Sequence, residues 1–220
     1  MKKSLLSFSA LVLSLISAQA SATMQEERWP RWYVGLSGGV QFLKDDDIRG
    51  ASTGKAKFKT GETFTGSLGY MPHFGVSALE NLRFEAELGY HNAGLDGGTV
   101  NGVLTPGRGH VQAWSYLGNV FYDFRNSTRW TPYLGAGAGG ARVQLSRNSG
   151  LGNTGDESGV FAYQFMAGLA YAPENIPMTE WSLGYRYFVM QDPEYNSPAG
   201  KLKLRNLDSN NVELGAKFRF

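Results

Sequence analysis

"LRFEAELGY", residues 82–90, alternates apolar and polar side chains from one end to the other. A spacing of two is the side-chain period of a β-strand, in which successive residues point to opposite faces. One face of this strand would carry leucine, phenylalanine, alanine and tyrosine, and the other would carry Arg83, Glu85 and Glu87. The stretch therefore predicts a strand that separates an apolar environment from a charged one.

The same alternation recurs along the chain and predicts eight strands, with no convincing amphipathic helix between them. In the fifth strand the adjacent glycines Gly139 and Gly140 predict a bulge or a tight bend, which leaves the strand register there open. The predicted strands cover residues 32–44, 56–71, 82–95, 110–124, 132–146, 160–172, 180–191 and 201–220.

The connections between these strands alternate in length. Long connections rich in Gly, Asn, Asp, Ser or Pro cover 45–55, 96–109, 148–159 and 192–200, and compact turns cover 72–81, 125–131 and 173–179. An even number of strands, with short turns on one rim and long loops on the other, is typical of an outer-membrane barrel, whose short turns are periplasmic. The predicted fold class is all-β, an eight-stranded antiparallel up-and-down transmembrane β-barrel.

The N-terminus has the pattern of a secretory signal peptide. Two lysines precede a twelve-residue apolar segment at 5–16, and alanines follow at positions 18, 20 and 22. Twelve residues are too few for a membrane helix, which needs about 20. We expect cleavage after Ala22, with Ala20 as the alternative, which leaves residues 23–220 as the barrel domain. The chain has no cysteine, so disulfides do not hold it together.

Charge gives no reason to expect a nucleic-acid partner. Without the two leader lysines, the remaining basic residues balance the 19 acidic residues.

In a membrane barrel the apolar face points to lipid, and the strands close on themselves because no backbone group can stay unpaired in hydrocarbon. Aromatic residues should then form a belt at each interface. A soluble β-sandwich, the alternative, would need no such belts. The predicted periplasmic belt contains Trp32, Tyr70, Phe84, Tyr122, Phe124, Tyr133, Tyr171, Trp181, Phe218 and Phe220, and the outer belt contains Phe42, Phe64, Tyr90, Trp114, Tyr116, Phe161, Tyr163 and Tyr187.

The inward face carries charges of both signs. The lumen of an eight-stranded barrel is just wide enough for side chains to fill it, and buried charges must be paired. We expect Glu85 and Glu87 to meet Arg186 and Lys217, and Asp123 to lie near Arg83 or Arg219. The predicted network, which plugs the lumen, consists of Arg83, Glu85, Glu87, Asp123, Arg186, Glu213, Lys217 and Arg219.

No motif for catalysis, a metal or a cofactor stands out. Glu85 and Glu87 share a face, as paired catalytic acids must, but that face is the crowded lumen. The acidic stretch at 44–50 lacks the spacing of a calcium loop, and the three histidines are too scattered to predict a metal site. We therefore expect neither an enzyme nor a cofactor.

The chain resembles the OmpA-like, opacity-type outer-membrane β-barrel proteins. The matching stretches are "WYVGLSGGV" (32–40), "LRFEAELGY" (82–90), "PYLGAGAGGARV" (132–143), "SLGYRYF" (182–188) and "VELGAKFRF" (212–220). The resemblance implies an assembly signal at Gly215, Phe218 and Phe220, which the barrel-assembly machinery recognises. Nothing resembling a peptidoglycan-binding domain follows, so we expect none.

The resemblance also implies a role. Members of this family are integral to the outer-membrane lipid, and their extracellular loops contact host or matrix molecules. The leading hypothesis is thus a structural or surface-interaction protein of the adhesin or surface-antigen type. A small pore or a transporter of hydrophobic solutes is the first alternative, and a lipid-modifying enzyme is the second.

Overall fold

The structure, a computed structural model, describes residues 31–44, 46–50, 54–58, 60–76, 79–100, 103–105, 109–147, 157–191, 194–197, 200–204 and 207–220. The predicted signal peptide lies outside these residues. No helix in the described ranges has the length and apolar character that crossing a membrane requires. The strands are β1 (Trp32–Leu43), β2 (Asp46–Gly50), β3 (Gly54–Phe58), β4 (Gly61–Tyr70), β5 (Leu82–Val100), β6 (Val103–Thr105), β7 (Gly109–Asp123), β8 (Trp130–Arg147), β9 (Glu157–Tyr171), β10 (Thr179–Met190), β11 (Glu194–Ser197), β12 (Gly200–Leu204) and β13 (Leu207–Arg219).

Eight of these strands form a closed barrel. Each pairs antiparallel with its neighbours in the order β1, β4, β5, β7, β8, β9, β10, β13. The last strand returns to the first, since β13 pairs with β1 over eleven residue pairs that include Val40 with Val212. The ring has no open edge, which is what a sheet in hydrocarbon requires. The predicted fold class is confirmed.

The predicted strand boundaries are wrong on the long-loop side. The second barrel strand begins at Gly61 and the eighth at Leu207, several residues later than expected. The segments before them form separate strands, because β3 pairs with β5, and β12 pairs with β2, away from the barrel wall.

Short strands thus extend the sheet beyond the barrel wall on the long-loop side. We call β2, β3, β6, β11, β12 and the end of β5 the outer sheet; its pairings run β11–β12–β2–β3–β5, with β6 folding back on β5. β5 has 19 residues, whereas a tilted membrane strand needs about 9–11. The extra length carries the sheet past the bilayer.

The predicted bulge at Gly139 and Gly140 is wrong. Both ladders of β8 run through these residues without a shift, pairing Leu117 with Gly139 and Gly139 with Ala162. Gly140 lies so close to Tyr116 that an added Cβ would be 2.8 Å from its ring. The glycines therefore serve close packing against β7 rather than a break in the ladder.

Two further glycines of β8 make room in the lumen. An added Cβ at Gly135 would overlap the ring of Phe121, and one at Gly137 would overlap the side-chain amide of Asn119. Because β8 presents little volume, these large side chains of β7 can lie across it.

The two faces of the wall have the predicted polarity. Leu88 and Val120 are 63% and 43% exposed on the outside, whereas Glu87 is 4% exposed and points inward. The apolar face is therefore the lipid-facing one.

The predicted belt residues lie on the outer face, with one exception. Tyr133 points into the lumen, where its ring centroid lies 5.3 Å from Lys217 Nζ. Trp130 joins the aromatic belt at the short-turn rim instead; it is half exposed, and its ring centroid lies 4.6 Å from that of Tyr171. Val189 has the same parity along β10 as the belt residues Trp181 and Tyr187, but it is fully buried.

The turn between β4 and β5 is closed by Glu80. Its carboxylate accepts hydrogen bonds from the backbone N–H groups of Phe74 and Gly75 at 2.9 and 2.7 Å, and it lies 2.8 Å from His73 Nδ1. Desolvation acts to raise the pKa of Glu80, but the hydrogen bonds from His73 and the backbone outweigh it and hold the pKa below its ordinary value. Local contacts thus keep this connection compact.

Candidate functional site in the barrel lumen

The lower lumen is organised around Arg83. Its Nε lies 3.2 and 3.1 Å from the two carboxylate oxygens of Asp123, and its Nη1 donates to the Tyr33 hydroxyl at 2.9 Å and contacts Glu85. The Tyr33 hydroxyl donates to Glu85 at 2.5 Å. The guanidinium also lies 3.9 Å from the ring centroid of Phe121, within cation–π range. One buried cation thereby joins two carboxylates and an aromatic wall.

A second group of charged side chains lies at the short-turn end of the lumen. Glu180 accepts a hydrogen bond from Lys217 Nζ at 2.8 Å and also contacts Arg219. Glu180 is not among the residues of the predicted network. Its position could have indicated that it belongs there, because Glu180 lies an even number of residues from Arg186 along β10 and therefore on the same inward face.

The central lumen is crossed by Arg186. Its Nη1 donates to Glu87 at 2.5 Å and to the Gln164 side-chain oxygen at 2.6 Å, and its Nη2 donates to Glu213 at 3.0 Å. Its Nε lies 2.8 Å from the second oxygen of Glu213. Asn119 donates a further hydrogen bond to Glu87 at 3.1 Å. A single guanidinium from β10 thus bridges carboxylates of β5 and β13, a charge-assisted arrangement of the strong kind.

The predicted partners are only partly those found. Glu87 does meet Arg186, and Asp123 lies beside Arg83, one of the two cations considered. Lys217 does not take part in the expected contact with Glu85 or Glu87, because it is the register partner of Glu180 on the adjacent strand. Lys217 can therefore reach the carboxylate of Glu180 on the neighbouring strand without crossing the lumen.

Above the ionic clusters lies His91, fully buried. Its Nδ1 is 3.2 Å from the Thr63 hydroxyl and its Nε2 is 3.1 Å from the Ser115 hydroxyl. The imidazole stacks on Phe188 with ring centroids 4.5 Å apart and an interplanar angle of 7°. This histidine is held by hydroxyls and an aromatic ring, an arrangement that positions the side chain.

An apolar cluster fills the lumen near the long-loop end. This cluster was not predicted, because apolar residues were expected on the lipid face. The "YFVM" stretch at 187–190 could have indicated it. Four consecutive apolar residues in a strand point alternately to the two faces, so two of them must point into the lumen. The cluster consists of Ala113, Leu117, Ala141, Val143, Ala162, Phe188, Met190 and Leu207, with Leu43 and Val160 packed against it.

Little open space remains between the lower and central clusters. The cavity there has a volume of about 60 Å³ and is lined by charged groups that include Arg83, Glu87 and Arg186. Space of this size holds a few water molecules. Within the described residues, no group of three or more His, Cys, Asp or Glu side chains is placed to hold a metal.

The residues of the predicted assembly signal lie on β13 and at its end. Phe218 and Phe220 are exposed on the lipid face, and Phe220 N–H donates to the Trp32 carbonyl at 2.9 Å. Gly215 lies against Ser182, whose hydroxyl would be 2.7 Å from an added Cβ. The arrangement closes the barrel seam with aromatic side chains at the short-turn rim.

Comparison with known proteins gives consistent results. A family model described as "Outer membrane protein beta-barrel domain" matches residues 8–220. An outer membrane protein of Gluconacetobacter diazotrophicus is 28% identical over 176 residues, which cover 70% of this chain and 45% of that protein. Outer membrane protein PagN of Salmonella typhimurium is 48% identical over 42 residues, which cover 19% of this chain and 18% of PagN. The matches thus span less than half the length of these relatives.

Among solved structures, Neisserial surface protein A (NspA) has the same barrel fold. Its crystal structure aligns with a TM-score of 0.56 at 20% identity, over 86% of this chain and 97% of NspA.

Proposed function

The chain belongs to the outer membrane protein beta-barrel domain family, and from that premise we propose that its barrel is a closed anchor that carries a binding surface on the outside of the cell. The protein is an outer-membrane protein that lies in membrane lipid. We further propose that residues 1–22 are a signal peptide, that the barrel-assembly machinery recognises Gly215, Phe218 and Phe220, and that the long-loop side faces outward.

The filled lumen is the observation that carries this proposal. Arg186 and its two carboxylates lie across the centre, and the apolar cluster of Phe188 and Met190 packs above them. The cavity of about 60 Å³ has room for only a few water molecules. Dense packing of side chains in the lumen supports an anchoring role. The packed side chains speak against a pore or a transporter that works through an open lumen, and the closed ring of paired strands speaks against a transporter that works through a lateral gap.

Catalysis is also outside the proposed role. The lumen carboxylates Glu85, Glu87, Asp123, Glu180 and Glu213 each pair with a buried or half-buried cation. Carboxylates held this way act as hydrogen-bond acceptors in a structural network.

The outer sheet supports a role in surface interaction. Five short strands and the end of β5 pair with one another beyond the wall. Hydrogen-bonded strands hold a shape at lower entropic cost than long open loops. A surface built this way suits contact with host or matrix molecules, which is the partner class that we propose.

A closed lumen predicts the absence of conduction. The purified, folded protein in planar lipid bilayers is expected to give no stable large conductance steps. Insertion is verified on the same sample by gel mobility, since a closed barrel migrates faster unheated than boiled. Stable large steps from inserted, heat-modifiable protein would contradict the plug.

Removal of one arm of the outer sheet tests the surface role. Leu95 and Gly109 are register partners at the top of the wall, so residues 96–108 can be replaced by Asn-Gly, which joins them in a two-residue turn. This variant is expected to keep its heat-modifiable barrel and to lose most adhesion of the bacteria to host cells or matrix.

A matched variant removes the other arm. Met190 and Leu207 are also register partners, so Asn-Gly can replace residues 191–206. Loss of adhesion in the first variant but not in the second assigns binding to the β5–β6 arm. Loss of adhesion in each of the two variants assigns it to the outer sheet as a whole. If adhesion, serum survival and envelope integrity are unchanged in both variants, the proposed surface role is wrong.

A further inference from the structure

Arg142 is a cation on the lipid-facing side of the wall. The parity of β8 places Leu134, Ala136 and Ala138 outside and buries Ala141 and Val143 inside, and Arg142 is exposed on the same face as the first three. The ion pairs found within the described residues do not include Arg142. A lipid-facing cation near the bilayer centre would be costly, whereas one near an interface is tolerated.

Arg142 lies at the outer interface. It follows Trp130 of the periplasmic belt by twelve positions along β8. At about 3.4 Å per residue and a tilt of about 40°, this separation is about 30 Å along the membrane normal, which exceeds the apolar band of about 25 Å. Its register partner on β7 is Trp114, a residue of the outer belt. The guanidinium therefore lies at the boundary between the acyl chains and the headgroups.

The surface around Arg142 leaves room for a ligand. Its register partner on the other side, on β9, is Gly159, where an added Cβ would have no atom within 4 Å. Two positions back along β8, the ring of Tyr116 lies over Gly140. Arg142 thus lies between the ring of Tyr116 and the unoccupied space beside Gly159.

The opposite side of the barrel offers a contrast. Lys44, at the end of β1, is also exposed at the outer rim, but its Nζ lies 3.5 Å from Asp208 and 5.3 Å from the Tyr187 ring centroid. Strands β1 and β8 are four places apart in the ring of eight. Lys44 is thus paired within the protein, whereas no ion pair found among the described residues includes Arg142.

We propose that Arg142 binds a phosphate group of the phosphorylated glycolipid in the outer leaflet of the outer membrane. Guanidinium presents paired N–H donors that match phosphate oxygens, and the cation is more weakly hydrated than an ammonium group. Trp114 and Tyr116 pack along the sugar or the upper acyl chains of the same lipid. The site rests on the proposed orientation, with the long loops outward, and is independent of what the outer sheet binds.

The test uses the full folded barrel in detergent micelles. Wild type, Arg142→Gln, Arg142→Lys and Lys44→Gln are each incubated with bisphosphorylated lipid A or its dephosphorylated form, and native mass spectrometry measures the lipid that each retains. Wild type is expected to prefer the phosphorylated lipid. Arg142→Gln should weaken retention of that lipid about fivefold, the effect of one cation near an anionic headgroup. Arg142→Lys should keep part of it, and Lys44→Gln should match wild type.

Several outcomes would overturn the site. Equal retention of the two lipids by wild type, no loss in Arg142→Gln, or an equal loss in Lys44→Gln would each do so. Inorganic phosphate is added as a competitor, and displacement of the lipid by phosphate at comparable concentration would overturn the assignment to a lipid. Because the readout involves neither adhesion nor conductance, its failure is separable from failure of the proposed function.

Discussion

Replacing Arg186 by methionine is expected to lower the free energy of unfolding by about 3–5 kcal/mol, the usual cost of removing one partner from a buried ion pair. Arg186 is 5% exposed and contacts both Glu87 and Glu213. Methionine has a similar length but supplies no donor, so two carboxylates would remain buried without their cation. Urea titration in lipid vesicles, followed by tryptophan fluorescence and by loss of the fast-migrating gel band, measures the change.

Two variants separate lost pairing from lost packing. In the triple variant with Arg186→Met, Glu87→Gln and Glu213→Gln, the stranded charges are gone, and most of the lost stability should return because both sides of the interaction are removed together. Lys44→Met breaks an exposed pair with Asp208, and it should cost at most about 1 kcal/mol. If Arg186→Met and Lys44→Met are equally mild, the central cluster does not hold the barrel together.

Replacing Leu88 by arginine is expected to lower the free energy of unfolding from the membrane by about 2–4 kcal/mol, the cost of a lipid-facing cation near the bilayer midplane. Leu88 is 63% exposed and lies between the belt residues Phe84 and Tyr90. Neither register partner on the outer face, Gly66 or Tyr116, offers a carboxylate. The same urea titration in vesicles measures the effect.

The control places the same substitution outside the bilayer. Val76 is 53% exposed in the compact turn between β4 and β5, and Val76→Arg should change stability by no more than about 0.5 kcal/mol, as exposed positions usually do. In a water-soluble barrel Leu88→Arg would be equally harmless. Similar values for the two variants would therefore contradict the lipid-facing assignment of this wall.

The contacts of the lumen show the limit of prediction from spacing. Parity along a strand predicts that Glu85, Glu87 and Arg186 point inward, but it says nothing about their height or distance. Those depend on strand tilt and on the stagger between strands, which only the closed ring determines. For this reason the predicted partner of Lys217 was wrong. Glu180 was missing from the predicted network, although its position along β10 places it on the inward face.

The amino-acid sequence by itself determined the number of wall strands, their two faces, the belts and the alternation of short and long connections. These properties are local, since each follows from a period of two over about ten residues and from turn chemistry. Tertiary structure alone decided which charges pair, that Phe188 and its apolar neighbours close the upper lumen, and that loop segments form the outer sheet. Each of these depends on residues far apart in the chain that meet only when β13 closes on β1.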